Sequence, residues 1–208
     1  MRDDYRILKR FFSRKNEVYL VKSDDNLYVL KRFIDPQRAD TEWNFLTSLY
    51  GRFKVPKPLT KKENDVWMEY IDGGLISESL TEKALMGLAA WLARLHSFGI
   101  RKGDCILRNF IITVDGIYGI DWEEASMSSE FKGDLIDVCG SIIWIYQSNI
   151  EEGLRVCDGF LEHYRNYSGM KLNGLIEGLL SFFSKRLELR PELRDKISRI
   201  LGDLEVHS

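Results

Sequence analysis

Three polar side chains interrupt the otherwise strand-like stretch at residues 101–125, "RKGDCILRNFIITVDGIYGIDWEEA". Asp104, Asn109 and Asp121 supply two carboxylates and one amide oxygen. An Asp-Gly pair at 115–116, between two β-branched and aromatic runs, predicts a β-hairpin. Folding back at this turn would bring Asn109 opposite Asp121 or within one residue of it, depending on the loop length. Asp104 lies five residues before Asn109, on the preceding loop. The sequence therefore predicts that the three side chains converge at the open end of the hairpin.

These residue types suit metal and phosphate chemistry. Mg²⁺ prefers oxygen ligands and is held by one or two carboxylates together with substrate phosphates and water. A carboxylate that is free of metal can accept the proton of an attacking hydroxyl. The alternative is that Asp104 and Asn109 only cap turns, since Asp and Asn are common in such positions. The predicted placement of Asp121 at the same end of the hairpin favours the chemical interpretation.

The N-terminal part of the chain reads as a small sheet with one helix. Residues 5–71 contain several strand-like runs, of which two are joined by a polar turn. One helical segment would begin at a cap formed by Asp40 or Thr41 and end at Gly51. A proline-spaced connector and a further strand-like run follow.

The remainder of the chain is mainly helical. Apolar residues recur at helical spacing soon after Gly74 and again from Gly133 onward, with a last segment that would begin at Pro191. The sequence thus predicts an α+β protein of two lobes, an N-terminal lobe at 1–71 and a helical lobe at 72–208.

The bulk composition argues against several classes of protein. The 208 residues include 30 basic and 32 acidic side chains, so a global attraction to nucleic acid or to an anionic membrane is not predicted. No apolar run is long enough to span a bilayer, and the N-terminus lacks a signal-peptide core. Three cysteines without CxxC spacing argue against a zinc site or a disulfide framework. We therefore expect a cytoplasmic protein with no membrane association and no direct nucleic-acid partner.

Several motifs together resemble the protein-kinase-like superfamily, and within it the aminoglycoside and choline phosphotransferase branch. "LHSFGIRKGDCILRN" resembles the catalytic loop of that branch, and "GIDWEEA" resembles its metal-binding segment. Further matches in the expected order are "YVLK", "TEWNFL", "VPKP", "WMEYIDGG" and "GDLIDV". The ordered matches cover residues 13–140.

The resemblance implies a two-lobed protein-kinase-like fold, with a small antiparallel sheet and one helix in the N-lobe and a catalytic hairpin in a mainly helical C-lobe. It also implies ATP and Mg²⁺ as cofactors and a role for each matched residue. The implied roles are Lys31 on the ATP phosphates, Glu42 orienting that lysine, backbone groups of Glu69, Tyr70 and Ile71 on the adenine, Asn109 and Asp121 on Mg²⁺, Asp104 as the catalytic carboxylate, and Asp137 steadying the catalytic loop. His96 is predicted to pack at a helix end.

The sequence also departs from the family pattern. Lys102 stands where the family has a histidine that supports the catalytic loop, and a charged lysine cannot accept hydrogen bonds. The turn at residues 13–16, "SRKN", has no glycine although many kinases cover the phosphates with a glycine-rich loop. Trp122 and Glu123 follow Asp121 where protein kinases have Phe-Gly, which favours a small-molecule kinase.

The sequence predicts an enzyme that transfers the γ-phosphate of ATP to a hydroxyl group of a small molecule. That acceptor could be cationic, because acidic residues follow the metal-binding segment. These residues are Glu123, Glu124, Glu130 and Asp134. One alternative is a compact atypical protein kinase or ATPase resembling the kinase of the tRNA threonylcarbamoylation complex. Another is a pseudokinase that binds nucleotide or serves as a scaffold.

Overall fold

The computed structural model describes residues 5–170, 172 and 175–186. The predicted helix that begins at Pro191 lies outside these residues. Within them the chain forms two compact units, one made of the described residues up to Gly74 together with Ile111–Ala125, and the other of Leu75–Phe110 together with the described residues from Ser126 onward. The division into a nucleotide-binding lobe at 1–71 and a catalytic lobe at 72–208 stays a prediction.

The described residues form ten strands and five α-helices. The strands are β1 Arg6–Phe11, β2 Glu17–Ser23, β3 Asn26–Arg32, β4 Pro58–Lys62, β5 Asp65–Glu69, β6 Gly74–Leu75, β7 Ile100–Arg101, β8 Phe110–Thr113, β9 Gly116–Gly119 and β10 Ser126–Met127. The helices are α1 Pro36–Leu49, α2 Glu82–Ser97, α3 Lys132–Ile145, α4 Ile150–Ser168 and α5 Leu175–Arg186. None of the helices within the described ranges has both the length and the apolar character that crossing a membrane requires.

The first unit is built on an antiparallel sheet with the order β1-β2-β3-β5-β4. Side chains alternate across this sheet, as the period of two requires. One face carries Val21, Leu30 and Trp67, which form an apolar cluster against partly buried tyrosines. Lys31 directly follows Leu30 on β3, so its side chain points to the opposite face of the sheet. Its cross-strand partner on β5 is Val66.

Helix α1 begins earlier than the sequence predicts. The expected cap was Asp40 or Thr41, but the helix starts at Pro36, and the carboxylate of Asp35 accepts the N–H of Gln37. Proline suits the first helical position because its φ is already helical and its missing N–H would have no partner there. The cap at Asp35 adds a full turn to the helix, and this longer helix carries Glu42.

The predicted hairpin is present as β8 and β9. Its two turn residues are Val114 and Asp115, one position earlier than the Asp-Gly pair suggests. Gly116 opens β9 with φ of 129°, a conformation that strongly favours glycine. The Thr113 hydroxyl donates to the Gly116 carbonyl and accepts the N–H of Asp115, which closes the turn. Together with β6 the hairpin forms a sheet of order β6-β8-β9.

The second unit is helical. Thr81 caps α2 by accepting the N–H of Ala84, and the leucine stripe of this helix is buried as its helical spacing predicts. Helix α2 packs along α4, and α3 packs against both α4 and α5. The two short strands β7 and β10 pair next to the end of α2. This packing positions the loop that follows β7.

Candidate active site

Lys31 is the centre of a buried ionic cluster in the first unit. Its Nζ donates to Glu42 Oε2 at 2.9 Å and to Asp121 Oδ1 at 2.6 Å, and lies 3.0 Å from Glu123 Oε2. The Lys31 side chain is only 7% exposed and that of Glu42 only 1%. The structure therefore brings together three residues that the sequence assigned to nucleotide and metal binding, Lys31, Glu42 and Asp121.

Neighbouring carboxylates keep the Lys31 ammonium group protonated. Burial by itself would lower the pKa of this lysine, but the charges of Glu42, Asp121 and Glu123 more than offset that effect and raise the pKa above its ordinary value. The ammonium group is consequently kept protonated throughout the physiological range. A fixed, desolvated cation is the kind of group that can bind phosphate oxygens strongly.

Trp122 links the segment after β9 to helix α1. Its backbone N–H donates to Glu42 Oε2 at 3.0 Å, and its indole N–H donates to the Gly119 carbonyl at 2.9 Å. The fully buried ring is stacked with Phe45 of α1, with ring centroids 6.4 Å apart. These contacts hold Asp121 beside Lys31, in the left-handed region with φ of 63°, which Asp tolerates better than most residues.

Four further contacts, which we call the acidic latch, connect the glycine-free turn and helix α1 to Glu123 and Glu124. Arg38 Nη1 donates to Glu123 at 2.8 Å and to Glu124 at 3.1 Å, and Lys15 Nζ donates to Glu124 at 2.5 Å. The side-chain amide of Asn16 donates to Glu123, which also contacts Lys31. The glycine-free turn at residues 13–16 is thereby held by side chains.

Pairing within the acidic latch shifts the pKa values of Glu124 and Lys15. The hydrogen bond from Lys15, assisted by Arg38, holds the pKa of Glu124 below its usual range despite partial burial. The same hydrogen bond to Glu124 raises the pKa of Lys15. Both shifts favour the charged forms, so the latch is closed over the range in which both groups are ionised.

The carboxylates around Lys31 have the chemistry of a magnesium site. Oxygen atoms of Glu42, Asp121 and Glu123 lie within 4.8 Å of one another. Lys31 is within hydrogen-bonding distance of all three and supplies part of the balancing charge. Asp121 is the most exposed of the three carboxylates, so its oxygen atoms are the ones that a cation from solvent could reach most easily.

In the second unit, Asp134 holds the loop after β7. Its carboxylate is fully buried and accepts the backbone N–H of Lys102 at 2.7 Å and that of Gly103 at 3.0 Å. Asp137 accepts the N–H of Cys105 at 3.1 Å, so it steadies the loop as the sequence predicts. Sequence reasoning missed the larger contribution of Asp134, which it treated as part of an exposed acidic segment.

Lys102 contributes a backbone N–H group to the loop contacts and has a buried side chain. The side chain is fully buried, with its Nζ 5.3 Å from the centroid of the Phe110 ring. The hydrogen bonds to Asp134 come from the backbone N–H groups of residues 102 and 103. These two loop contacts therefore do not depend on which side chain stands at position 102.

Asp104 and Asn109 contact each other within the same loop. Asn109 ends a short 3₁₀ turn, and its Nδ2 donates to the Asp104 carbonyl at 2.8 Å and to Asp104 Oδ2 at 3.2 Å. Asp104 has φ of 40°, directly after Gly103 with φ of 66°. Because Nδ2 is committed to Asp104, the amide oxygen of Asn109 is the atom that could bind a metal ion.

His96 packs at the end of α2, as predicted. Its Nδ1 lies 2.7 Å from the Tyr164 hydroxyl and its Nε2 lies 3.2 Å from Asp134 Oδ2. The imidazole is also stacked with Phe131, with ring centroids 4.3 Å apart. His96 consequently positions Asp134.

The predicted adenine-binding segment follows β5. The backbone N–H of Glu69 donates to the Lys57 carbonyl, and its carboxylate accepts the N–H of Lys57, so Glu69 is tied to the neighbouring connector. Tyr70 and Ile71 continue beyond the strand, with Ile71 buried. Their contact with adenine stays a prediction.

Most of the acidic residues that were expected to receive a cationic acceptor already have partners. Glu123 and Glu124 are engaged in the acidic latch, and Asp134 is buried against the loop after β7. Glu130 remains exposed. Of the four acidic residues in the predicted patch, Glu130 is thus the one left to contact a cation.

The overall fold has clear relatives among solved structures. The Rio2 kinase of Chaetomium thermophilum, solved as an ADP/Mg²⁺-phosphoaspartate complex, is 12% identical, with a TM-score of 0.51 over 96% of this chain and 71% of that chain. WaaP, solved in complex with acyl carrier protein, is 16% identical, with a TM-score of 0.59 over 86% of this chain and 87% of that chain. The chain has a protein-kinase-like fold, with an antiparallel sheet and a helix followed by a helical part.

Sequence comparison adds one curated relative. The "Probable bifunctional tRNA threonylcarbamoyladenosine biosynthesis protein" of Methanocorpusculum labreanum is 26% identical over 111 residues, which are 52% of this chain. The chain matches only 21% of that longer protein. No protein-family model matches. The aminoglycoside and choline phosphotransferase branch stays a prediction.

Proposed function

We propose that this chain is an ATP- and Mg²⁺-dependent phosphotransferase. The observation that carries the proposal is the buried Lys31, held in its charged form by Glu42 and Asp121. Phosphoryl transfer depends mainly on positioning and on the neutralisation of phosphate charge. A desolvated cation with a fixed orientation meets that requirement, and the kinase-like fold supports the same function.

Each residue has a distinct role in this proposal. Lys31 binds ATP phosphates and Glu42 keeps the lysine oriented. Asp121 and Asn109 would hold Mg²⁺, which when bound neutralises charge on the phosphates. Asp104 orients the acceptor group or takes its proton. Adenine binds to backbone groups of residues 69–71.

For the acceptor, we favour the compact atypical protein kinase or ATPase class. The curated relative bears a name from tRNA threonylcarbamoyladenosine biosynthesis, and this class was the sequence-based alternative that resembles the kinase of that complex. The occupied acidic residues also weaken the case for a cationic small molecule. The acceptor would then be a protein side chain or water.

A small-molecule hydroxyl is the second candidate. The observation in its favour is Trp122 and Glu123 directly after Asp121, as in the aminoglycoside and choline phosphotransferase branch. In this chain the tryptophan packs on α1 and the glutamate contacts Lys31. The segment thus has a structural role that is compatible with either acceptor class.

A phosphate-transfer assay with labelled ATP tests the proposal and separates the acceptors. The chain is incubated with Mg²⁺ and assayed for phosphate on itself, on protein substrates, in water, and on amino sugars, amino alcohols and nucleosides. We expect transfer to protein or water, and loss of transfer when Mg²⁺ is chelated. Transfer to one of the small molecules alone would select the second candidate.

Two variants and one control variant separate phosphate transfer from nucleotide binding. Asp104→Asn should reduce turnover by about 10²- to 10⁴-fold and should retain the rise in Tm that Mg²⁺-ATP produces by binding the native state. Lys31→Met should lose that rise. Arg155→Gln, at an exposed residue of α4, should behave as the parent chain. A nucleotide-dependent rise in Tm without any transfer would indicate a pseudokinase, and the absence of both would contradict the proposal.

A further inference from the structure

The first strand and the turn after it are strongly basic. Residues 6–15, "RILKRFFSRK", contain five cationic and no acidic side chains. β1 is an edge strand of the five-stranded sheet, and its side chains are exposed up to Phe11. The overall balance of 30 basic and 32 acidic residues predicts no polyanionic partner. That balance is an average over the whole chain and does not reveal the excess of cations at residues 6–15.

A cavity of about 450 Å³ opens beside this segment within the first unit. Arg10, Arg14, Lys15 and Arg32 line it, and Glu17 is the one acidic residue among its lining residues. We call this cavity the basic groove. Its lining carries four positive charges against one negative charge, so its potential favours an anionic ligand.

The cations of the groove differ in their availability. Arg32 forms a bidentate pair with Asp65, and Lys15 belongs to the acidic latch. Arg10 is exposed, with an ion pair to Glu17 at 3.2 Å and its guanidinium 5.8 Å from the centroid of the Tyr19 ring. Arg14 is exposed and makes no ion pair or hydrogen bond with the described part of the chain. Arg10 and Arg14 are thus the arginines best able to bind a new anion.

Large apolar side chains stand at the edge of the groove. Phe12, one residue before the lining residue Ser13, is 87% exposed. Ile34, itself part of the lining, is 79% exposed. An aromatic ring in open solvent beside arginines offers a flat surface on which a nucleobase can stack.

We propose that the basic groove and Phe12 bind single-stranded nucleic acid, with phosphates on Arg10 and Arg14 and a base on Phe12. The distribution of charge favours a chain of phosphates over a single one. Arg10 and Arg14 both line the groove, and Phe12 lies between them in the sequence, so one short segment could contact two phosphates and the base that they flank. The concave shape favours an extended strand over a flat membrane surface. This proposal goes beyond the phosphotransferase function, although the groove shares the turn at residues 13–16 with the acidic latch.

Fluorescence anisotropy without ATP tests it. The full chain is titrated into a labelled uridine or deoxythymidine oligonucleotide of about twelve nucleotides, across a series of salt concentrations. Arg14→Glu should weaken binding by about tenfold and flatten the slope of log K against log salt by ~0.7 per lost phosphate contact. Arg155→Glu makes the same change of charge on exposed α4 and should leave binding unchanged.

Substitutions of Phe12 separate stacking from general attraction. Phe12→Leu should weaken binding by about tenfold because a base cannot stack on leucine, whereas Phe12→Trp should retain it. The two oligonucleotides decide between RNA and DNA. Equal losses in Arg14→Glu and Arg155→Glu, or no loss in Phe12→Leu, would overturn the proposal. Arg14-dependent binding to phosphatidylserine vesicles in place of oligonucleotides would assign the groove to a membrane surface and overturn it as well.

Discussion

The Nζ of Lys31 lies 2.9 Å from Oε2 of Glu42, and both side chains are buried. A buried ion pair contributes little net stability, since its attraction must first offset the desolvation of two charges. Breaking such a pair is costly, because one charge is left without its partner. Here the cost should depend on which partner is removed, since Lys31 has three carboxylate neighbours.

We predict that Lys31→Met is more destabilising than Glu42→Gln. Loss of the lysine leaves Glu42, Asp121 and Glu123 with oxygen atoms within 4.8 Å of one another and should lower the free energy of unfolding by about 3–5 kcal/mol. Glu42→Gln leaves the lysine with two carboxylates and should cost less. Urea denaturation at neutral pH measures both values, and the reverse order would contradict this account of the cluster.

Asp134 should be essential for the shape of the loop that carries Asp104. Asp134→Ala leaves two buried N–H groups, those of Lys102 and Gly103, without their acceptor, at about 1–3 kcal/mol each. Asp134→Asn keeps one oxygen acceptor and should cost less. Asp137→Asn, which affects one N–H group, is the matched comparison. Urea denaturation that ranks Asp137→Asn above Asp134→Ala in cost would be inconsistent with this assignment.

Lys102 should be replaceable without loss of the loop geometry. Since the contacts to Asp134 come from backbone N–H groups, Lys102→Met and Lys102→His should both keep them. We expect turnover within about tenfold of the parent chain for both variants, less than the effect of removing a catalytic carboxylate. Steady-state kinetics of the phosphotransferase reaction provides the measurement. A loss as large as that of Asp104→Asn would show that the lysine side chain itself is required.

The acidic latch should open in acid. Because the folded protein holds the pKa of Glu124 below its ordinary value, the folded state binds fewer protons at this site than the unfolded chain. The stabilisation is therefore present above the ordinary pKa of a glutamate and is lost as pH falls through the folded pKa. The carboxyl carbon shift of Glu124, followed by NMR during an acid titration, should report this lowered midpoint.

Lys15→Ala provides the control for that titration. The hydrogen bond from Lys15 is the largest cause of the lowered pKa, so its removal should move the midpoint of Glu124 upward toward the ordinary range. Arg38 remains in this variant and should retain part of the effect. An unchanged midpoint would show that Lys15 does not pair with Glu124 in solution.

Local patterns in the sequence determined much of this protein. The alternation of strand residues placed Lys31 on one face of the sheet, and helical spacing placed Glu42 on α1. The hairpin was predicted to within one residue of its turn, and the motif that ends it identified Asp121. Such features depend on residues close together in the chain, whose conformations follow from short-range sterics and hydrogen bonding.

Only the tertiary structure decided which side chains complete the site. Asn16 and Lys15 meet Glu123 and Glu124 across 107 and 109 residues, and Arg38 meets Glu123 across 85 residues. Asp134 looked like a member of an exposed acidic run until folding buried it against the N–H groups of Lys102 and Gly103, which are 32 and 31 residues earlier. Contacts over such separations depend on how whole elements pack, and a carboxylate has the same local signature whether it faces solvent or a pair of buried N–H groups.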